Sequence, residues 1–370
     1  VSPCVQLRQP NESKDCIQCS LMGRARGKGW QEGNGCGFGT IRNNYLYARD
    51  IANLDFFCLT DHDFQTSDTD WREHVRIANH FNCYGEFVTL NGYEYTSFWY
   101  GHRNVYFAGD GPSYVTRAVP YGIGYGNCEE EPPEYLWDGL KQAGEDFITI
   151  PHHATAADHP FCWGWFNPEY DRMVEIFSGW GNSENPQGPL SGTGSSKYEH
   201  LTALHALQQG HKFGFVASSD CHDGCPGNAQ GIQLFNWANK FSETGSGKVI
   251  CLCDNLTRED IFCALKQRSA YATTGAKILI DFQINGCGMG SEISTSGSRE
   301  IYLDIRAPSF IKKVQIIKNG DIFMKESCDT TRETFKLIDN MPERDIDFYY
   351  VRVQLDDREM AWVTPIWVKR

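Results

Sequence analysis

With 370 residues the chain has room for about two or three domains, and 41% apolar with 22% charged residues is the balance of a globular protein with a sizeable core. A formal net charge of -13 leaves no basic excess to displace counterions, which excludes a nucleic-acid backbone as the main partner. No apolar run approaches the roughly 20 residues that span a bilayer.

Cysteine usage points to a compartment. Fifteen cysteines and two sequons, Asn11-Glu12-Ser13 and Asn255-Leu256-Thr257, predict a secreted, extracellular glycoprotein with several disulfides. Buried thiols such as Cys58 and Cys263 are the blander reading of part of that count. The odd number leaves at least one thiol unpaired or bonded to another chain, so a homo-oligomer or larger assembly stays open. No signal peptide is visible, and a chain that begins at Val1 rather than Met is expected to have been processed.

Residues 1–39 are polar and glycine-rich and carry Cys4, Cys16, Cys19 and Cys36. Cys16-Ile17-Gln18-Cys19 has CxxC spacing, but no second pair follows at zinc-finger distance, so an irregular segment anchored by disulfides is expected. A cysteine-based oxidoreductase would need such a pair on a βαβ unit, and this one precedes any. Thr40 is placed to cap a helix running to about residue 53. Residues 54–63, LDFFCLTDHD, read as a short buried strand delivering Asp61, His62 and Asp63 to its end. A helix over 70–81 and a strand over 86–90 follow, the strand leading to Glu94. His102 precedes a third strand over 104–107. Residues 109–132 are rich in Gly, Pro and Tyr and predict a long excursion loop, a lid or binding surface.

The spacing then predicts a helix over 133–143 with proline in its first turn. A strand over 147–150 ends at His152-His153, and another spans 173–177. A helix over 196–209 is stopped by Gly210. A strand over 213–217 ends at Asp220-Cys221-His222, and a last helix begins at Thr257 with a capping-box pattern. After residue 275 the grammar changes to short strands over 278–282, 301–305, 314–317, 349–353 and 362–367, with Asn-Gly turn signals at 285–286 and 319–320. This predicts an all-β sandwich over 276–370.

The alternation over 40–275 implies α/β architecture with a mainly parallel sheet, closed or nearly closed into a barrel. The active site of such a barrel lies at the carboxyl ends of its strands. Those ends carry Asp61, His62, Glu94, His152, His153, Asp220 and His222, with His102 just before its strand. Imidazole and carboxylate together are a ligand set for divalent Zn, Mn or Fe, one to three ions here. Such ions polarise a phosphoryl oxygen and activate water. His74, His80, His200 and His205, each alone on a predicted helix, are read as surface or core residues. Arg103 is a candidate for holding a substrate phosphate, against the plainer reading of a surface arginine.

Five motifs in order, TDHD at 60–63, GYEYT at 92–96, GHRNV at 101–105, PHH at 151–153 and SSDCHDG at 218–224, resemble the PHP superfamily of metal-dependent phosphoesterases. More narrowly they resemble its DUF3604 branch, as do RSAYATTGAKILIDFQINGCGMG at 268–290 and AWVTPIWV at 361–368. The resemblance implies a distorted TIM-like (β/α)7 barrel with a two- or three-metal site. It implies His62, Glu94, His102, one of His152 and His153, Asp220 and His222 as ligands. We assign His153 to the metal and His152, with Asp61, to acid–base work. One motif departs. The family's HxH on the first strand aligns with 15–20, where Ile17 and Cys19 stand in place of the histidines, and isoleucine cannot ligate a metal. Two expectations result: a secreted hydrolase of a phosphorylated small molecule or phosphodiester, or a pseudoenzyme keeping the barrel as a structural, binding or assembly module.

Overall fold

The computed structural model describes residues 40–124, 126–156, 159–185, 190, 199–222, 224–227 and 247–370. The segment expected to supply the first barrel strand, with Ile17, Cys19, the CxxC pair and the Asn11 sequon, lies outside the described residues.

Local sequence explains the first elements. The Thr40 hydroxyl accepts from the Asn43 amide at 3.2 Å and starts α1 (Ile41–Leu46), which continues as a π-turn over Tyr47–Ile51. The next helix, α2 (Asp68–Phe81), opens with a reciprocal capping box between Ser67 and Asp70. It buries Trp71, His74, Ala78 and Phe81, one stripe at helical spacing.

Between these helices β1 (Phe56–Phe57) pairs in parallel with β2 (Val88–Thr89), and a parallel bridge from His62 to Glu94 carries the seam into β3 (Asn91–Tyr95). Residues 54–62 are only half-buried, because they line a cavity rather than a packed wall. The sheet is mixed rather than mainly parallel. β4 (Arg103–Phe107) runs antiparallel to both β3 and β5 (Phe147–Pro151). The link over 96–102 is too short for the crossover that parallel neighbours need. No helix or strand occurs among the described residues of 109–132, and α3 (Pro133–Gln142) follows with proline at its start. A parallel bridge from Thr149 to Asp171 leads on to β6 (Met173–Ser178), and β7 (Gly181–Asn182) folds back on it. After a short helix α4 (Ala203–Gln208), β8 (Gly214–Ala217) lies parallel to β6. Hydrogen bonds trace this curved run without closing it into a barrel among the described residues. β1 and β8 instead both line a cavity of about 640 Å³.

The remaining strands form one nine-stranded sheet, not two facing sheets. It takes in β9 (Lys248–Cys251) and, after α5 (Arg258–Lys266), β10 (Ala270–Thr273). It continues through β11 (Leu279–Ile284), β12 (Cys287–Gly288), β13 (Glu292–Ser294), β14 (Arg299–Lys318), β15 (Asp321–Asp339), β16 (Ile346–Leu355) and β17 (Met360–Lys369). β14 pairs with β11 through its first half and with β16 through its second, with β15 along its other side throughout. Register shifts between Arg306 and Lys313 let the sheet curl around a core that includes Phe282, Leu303, Ile316, Val351 and Val363.

No disulfide joins two of the eleven described cysteines, from Cys58 to Cys328, so the disulfides expected from the count are not formed among the described residues. Cys58 and Cys251 sit among apolar side chains, where burial raises their thiol pKa.

The curled sheet encloses a charged network. Arg299, 1% exposed, bonds Asp347 and reaches Tyr349 Oη at 2.5 Å, while Lys318 Nζ lies 2.8 Å from Asp339. Burial works to raise the Asp347 carboxyl, but bonds from Asn319 and Arg299 hold it below its ordinary 3.8. Arg299→Met is expected to cost about 3–5 kcal/mol at neutral pH by leaving the buried Asp347 carboxylate without its cation. A carboxyl depressed in the folded state stabilises fully above its unfolded value and loses that contribution as pH falls below 3.8. Urea titrations should therefore show the gap between wild type and variant narrowing as pH drops below 3.8.

Candidate metal centre

The strand β3 is buried along its whole length, and its two faces divide the labour. Tyr93 and Tyr95 pack outward against Trp71, Phe107 and Leu136, while the alternation turns Gly92 and Glu94 to the other side. The Glu94 amide bonds the Asp61 carbonyl at 3.0 Å, which sets His62 beside it. The turn after His62 is held by Asp63, a buried carboxylate accepting from the amides of Phe64 and Ala118, both at 2.7 Å. Burial raises its pKa to about 7. His102 is brought in by Gly101 at φ +80°, where a Cβ would stand 2.6 Å from the Phe161 backbone. His153 (φ 34°) and Asp220 (φ 45°) occupy the left-handed region that non-glycine residues seldom take, and both are at the site.

Glu94 is the centre of the arrangement. Its Oε1 lies 2.7 Å from His102 Nδ1 and 3.5 Å from His152 Nε2, and its Oε2 lies 3.2 Å from His62 Nδ1. His152 Nδ1 is 3.5 Å from Asp220 Oδ2, and His153 Nε2 is 4.0 Å from the same oxygen. One donor atom each from Glu94, His102, His152 and His153 falls within 4.8 Å of the others. The His62 and His222 rings are 6.0 Å apart, and both residues line the cavity with Asp61, whose side chain is half exposed. Thr96 Oγ1 bridges His62 Nδ1 at 2.8 Å and Glu94 Oε1 at 3.1 Å.

The electrostatics are those of a hole shaped for a cation. Burial would raise the Glu94 carboxyl, but the charges of His62 and His152, with bonds from His102 and His152, hold it well below its usual range. His152 is pulled down by burial, yet Glu94 and Asp220 raise it to about 10. Burial and the neighbouring His159 lower His102 to about 3, and His153 is likewise depressed, by burial and the imidazoles around it. His152 is thus pushed toward its charged form while His102 and His153 are pushed toward their neutral forms. Both ring nitrogens of His152, Nδ1 of His153 and Oδ2 of Asp220 are buried without a well-formed hydrogen bond among the described residues. Such orphaned atoms are costly, and neutral imidazole with carboxylate oxygen suits Zn, Mn or Fe. The residues therefore fit a divalent transition metal.

The structure brings His62, Glu94, His102, His152, His153, Asp220 and His222 together, with Asp61 beside them. Two participants were not singled out from sequence. His159 stacks on His102 with ring centroids 4.4 Å apart, and no periodicity marks it in its loop. Glu175, on β6, accepts from the His153 amide at 3.2 Å and from the Ser218 hydroxyl. Burial, with the Asp220 charge, raises it to about 6 against the opposing charge of His152. A carboxylate inside the apolar run MVEIF was the legible signal. Arg103 is not a phosphate ligand. It is fully buried, stacks 4.6 Å from the Phe161 ring centroid, donates to the Tyr100, Gly101 and Trp165 carbonyls, and lies 3.5 Å from Asp171. His74 is a core residue, bonded to Tyr45 Oη at 3.3 Å with Nδ1 3.9 Å from Asp61.

Residues 43–159 match the family described as protein of unknown function (DUF3604). An uncharacterized protein of Chlamydia pneumoniae is 28% identical over 348 residues, covering 87% of this chain and 53% of the relative. One from Chlamydia trachomatis is 28% identical over 367 residues, covering 89% and 55%. The chain thus spans about half the length of these curated relatives. Among solved structures it is similar to a two-domain protein of Bacteroides vulgatus described as containing a predicted PHP-like metal-dependent phosphoesterase. That likeness has 12% identity and TM-score 0.42, over 92% of this chain and 93% of that one. It is also similar to PsfC of Pseudomonas syringae, with 13% identity and TM-score 0.37, over 68% and 84%.

Thr96 touches both a ring and the central carboxylate without offering a ligand of its own. Thr96→Ala is expected to weaken zinc binding about 10–100-fold in a competitive chelator titration, with the fold intact by circular dichroism.

Proposed function

We propose that this chain, a DUF3604 protein by its match over residues 43–159 and its motif order, is a metal-dependent hydrolase of phosphate esters. The observation that carries the reading is the buried convergence of Glu94, His102, His152 and His153 on one point, with Asp220, His62 and His222 around it. Glu94, His102 and His153 would hold one ion, and His62 and His222 would contribute to another. When bound, such ions polarise a phosphoryl oxygen and lower the pKa of coordinated water.

The chain's own residues supply the rest. Thr96 fixes the rotamers of His62 and Glu94 through two hydrogen bonds. His152, wedged between Glu94 and Asp220, keeps both carboxylates in place and can hold a proton between them. Asp61 lies open to the cavity, where its Oδ2 can take or return a proton, with buried His74 behind it.

Finer assignments belong to the same proposal. The curved run from β1 to β8 is taken as a PHP-type barrel over 40–275, with the segment 276–370 as its companion domain. Secretion rests on the cysteine count and the sequons. Of these, Asn255 is exposed and its amide donates to Asp260 at 2.9 Å.

Metal analysis of the purified protein, with phosphomonoesterase and phosphodiesterase assays before and after chelation, tests the function. The expected result is at least one bound transition ion per chain and turnover that chelation abolishes. A metal-free, inactive protein would favour the pseudoenzyme reading that Ile17 and Cys19 suggest. Asp61→Asn is expected to lower kcat about 10²–10⁴-fold while leaving metal content unchanged.

A further inference from the structure

The cavity lined by His62, Glu94, His152, Asp220 and His222 has a second charged feature. Lys248 opens β9 and Lys277 follows β10, and both line the same cavity as Asp61, His62 and His222. Their approach to the cluster is set by Gly247. A Cβ there would stand 2.8 Å from the Ser218 carbonyl and from Ala217 Cβ, so β9 begins flush against the carboxyl end of β8, next to Asp220.

Four lysines elsewhere in the fold have carboxylate partners: Lys212 holds Glu292, Lys266 holds Asp146, Lys312 holds Asp329 and Lys318 holds Asp339. Neither Lys248 nor Lys277 forms an ion pair within 4.0 Å among the described residues, although the chain carries 47 acidic side chains. The nearby carboxylate, Glu359, is engaged by the Thr274 hydroxyl at 2.5 Å and the Ala276 amide at 3.1 Å. Burial and the charge of Lys277 depress the Lys248 ammonium, and Glu359 only partly restores it. Two ammonium groups close enough to repel, with only Glu359 in partial compensation, are stabilised in a half-enclosed cavity by an anion between them. The acidic groups on the cavity wall, Asp55, Asp61, Asp70, Glu73, Glu94 and Asp220, do not fill this role at Lys248, whose electrostatic neighbours are Lys277 and Glu359.

We propose that Lys248 and Lys277 form an anion subsite that takes the non-bridging oxygens of a phosphate-ester substrate, beside the histidine and carboxylate residues that would hold metal. The assignment rests on the hydrolase reading for its substrate, but the subsite is testable without it. Inorganic phosphate is titrated calorimetrically into chelator-treated wild type, Lys277→Gln, the pair Lys248→Gln with Lys277→Gln, and the pair Lys248→Arg with Lys277→Arg. Metal content and thermal unfolding of each protein are measured in parallel.

The expected result is phosphate binding to wild type that weakens at least about tenfold in the glutamine pair and stays within about threefold in the arginine pair, with metal uptake unaltered. The single variant at exposed Lys277 gives the same direction should the glutamine pair fail to fold. Wild type that binds no phosphate, or a glutamine variant that binds it as tightly, overturns the subsite. A protein that binds phosphate through these lysines but takes up no metal keeps the subsite and loses the hydrolase reading instead.

Discussion

A carboxylate buried among imidazoles organises this molecule. Glu94 is 5% exposed and has three histidine rings within 3.5 Å, a position that no ion would tolerate alone. Isolated charges in a protein interior are neutralised or paired, and here the pairing extends outward in shells. The imidazoles answer Glu94, Asp220 answers His152, Thr96 locks one corner, and Glu175 ties the His153 backbone to β8 through Ser218. The short strands, the left-handed residues at His153 and Asp220 and the tight Gly101 approach all bring these groups to one place.

The strand ends were legible in the sequence because each is a sharp change of chemistry. An apolar run breaks off into TDHD, PHH or SSDCH, and the burial of the strand fixes where the polar residues emerge. Side chains just past such a break are therefore placed by the fold, and most of the ligand candidates can be named from that alone. The residues that escaped lack such a boundary. Glu175 hides within an apolar run, and His159 sits in a loop whose position depends on Phe161 packing against Gly101. Arg103 misled for the complementary reason. Sequence shows a cation beside a site histidine, but not the aromatic rings and carbonyls that enclose it.

The C-terminal half shows a different limit. Strands with one buried face announced themselves through alternation, as in β11. β15 has solvent on most of its length and reads as a polar stretch, so its pairing along all of β14 depends on β14 rather than on its own pattern. The sandwich expectation failed at the same point. Two short apolar runs at 301–305 and 314–317 look like separate strands, yet they are halves of one twenty-residue strand bent at an irregular register.

Glu184 joins the two halves. It lies in the loop after β7, is 1% exposed, and accepts from Tyr350 at 2.6 Å, from Arg352 at 2.9 Å and from Trp362 at 2.8 Å. Around it Phe177 and Phe215 share a core with Tyr350, Trp362 and Trp367. The curled sheet is therefore the missing wall of the first half, not an appendage to it. A chain cut near residue 275 would strand a buried anion and bare an aromatic face.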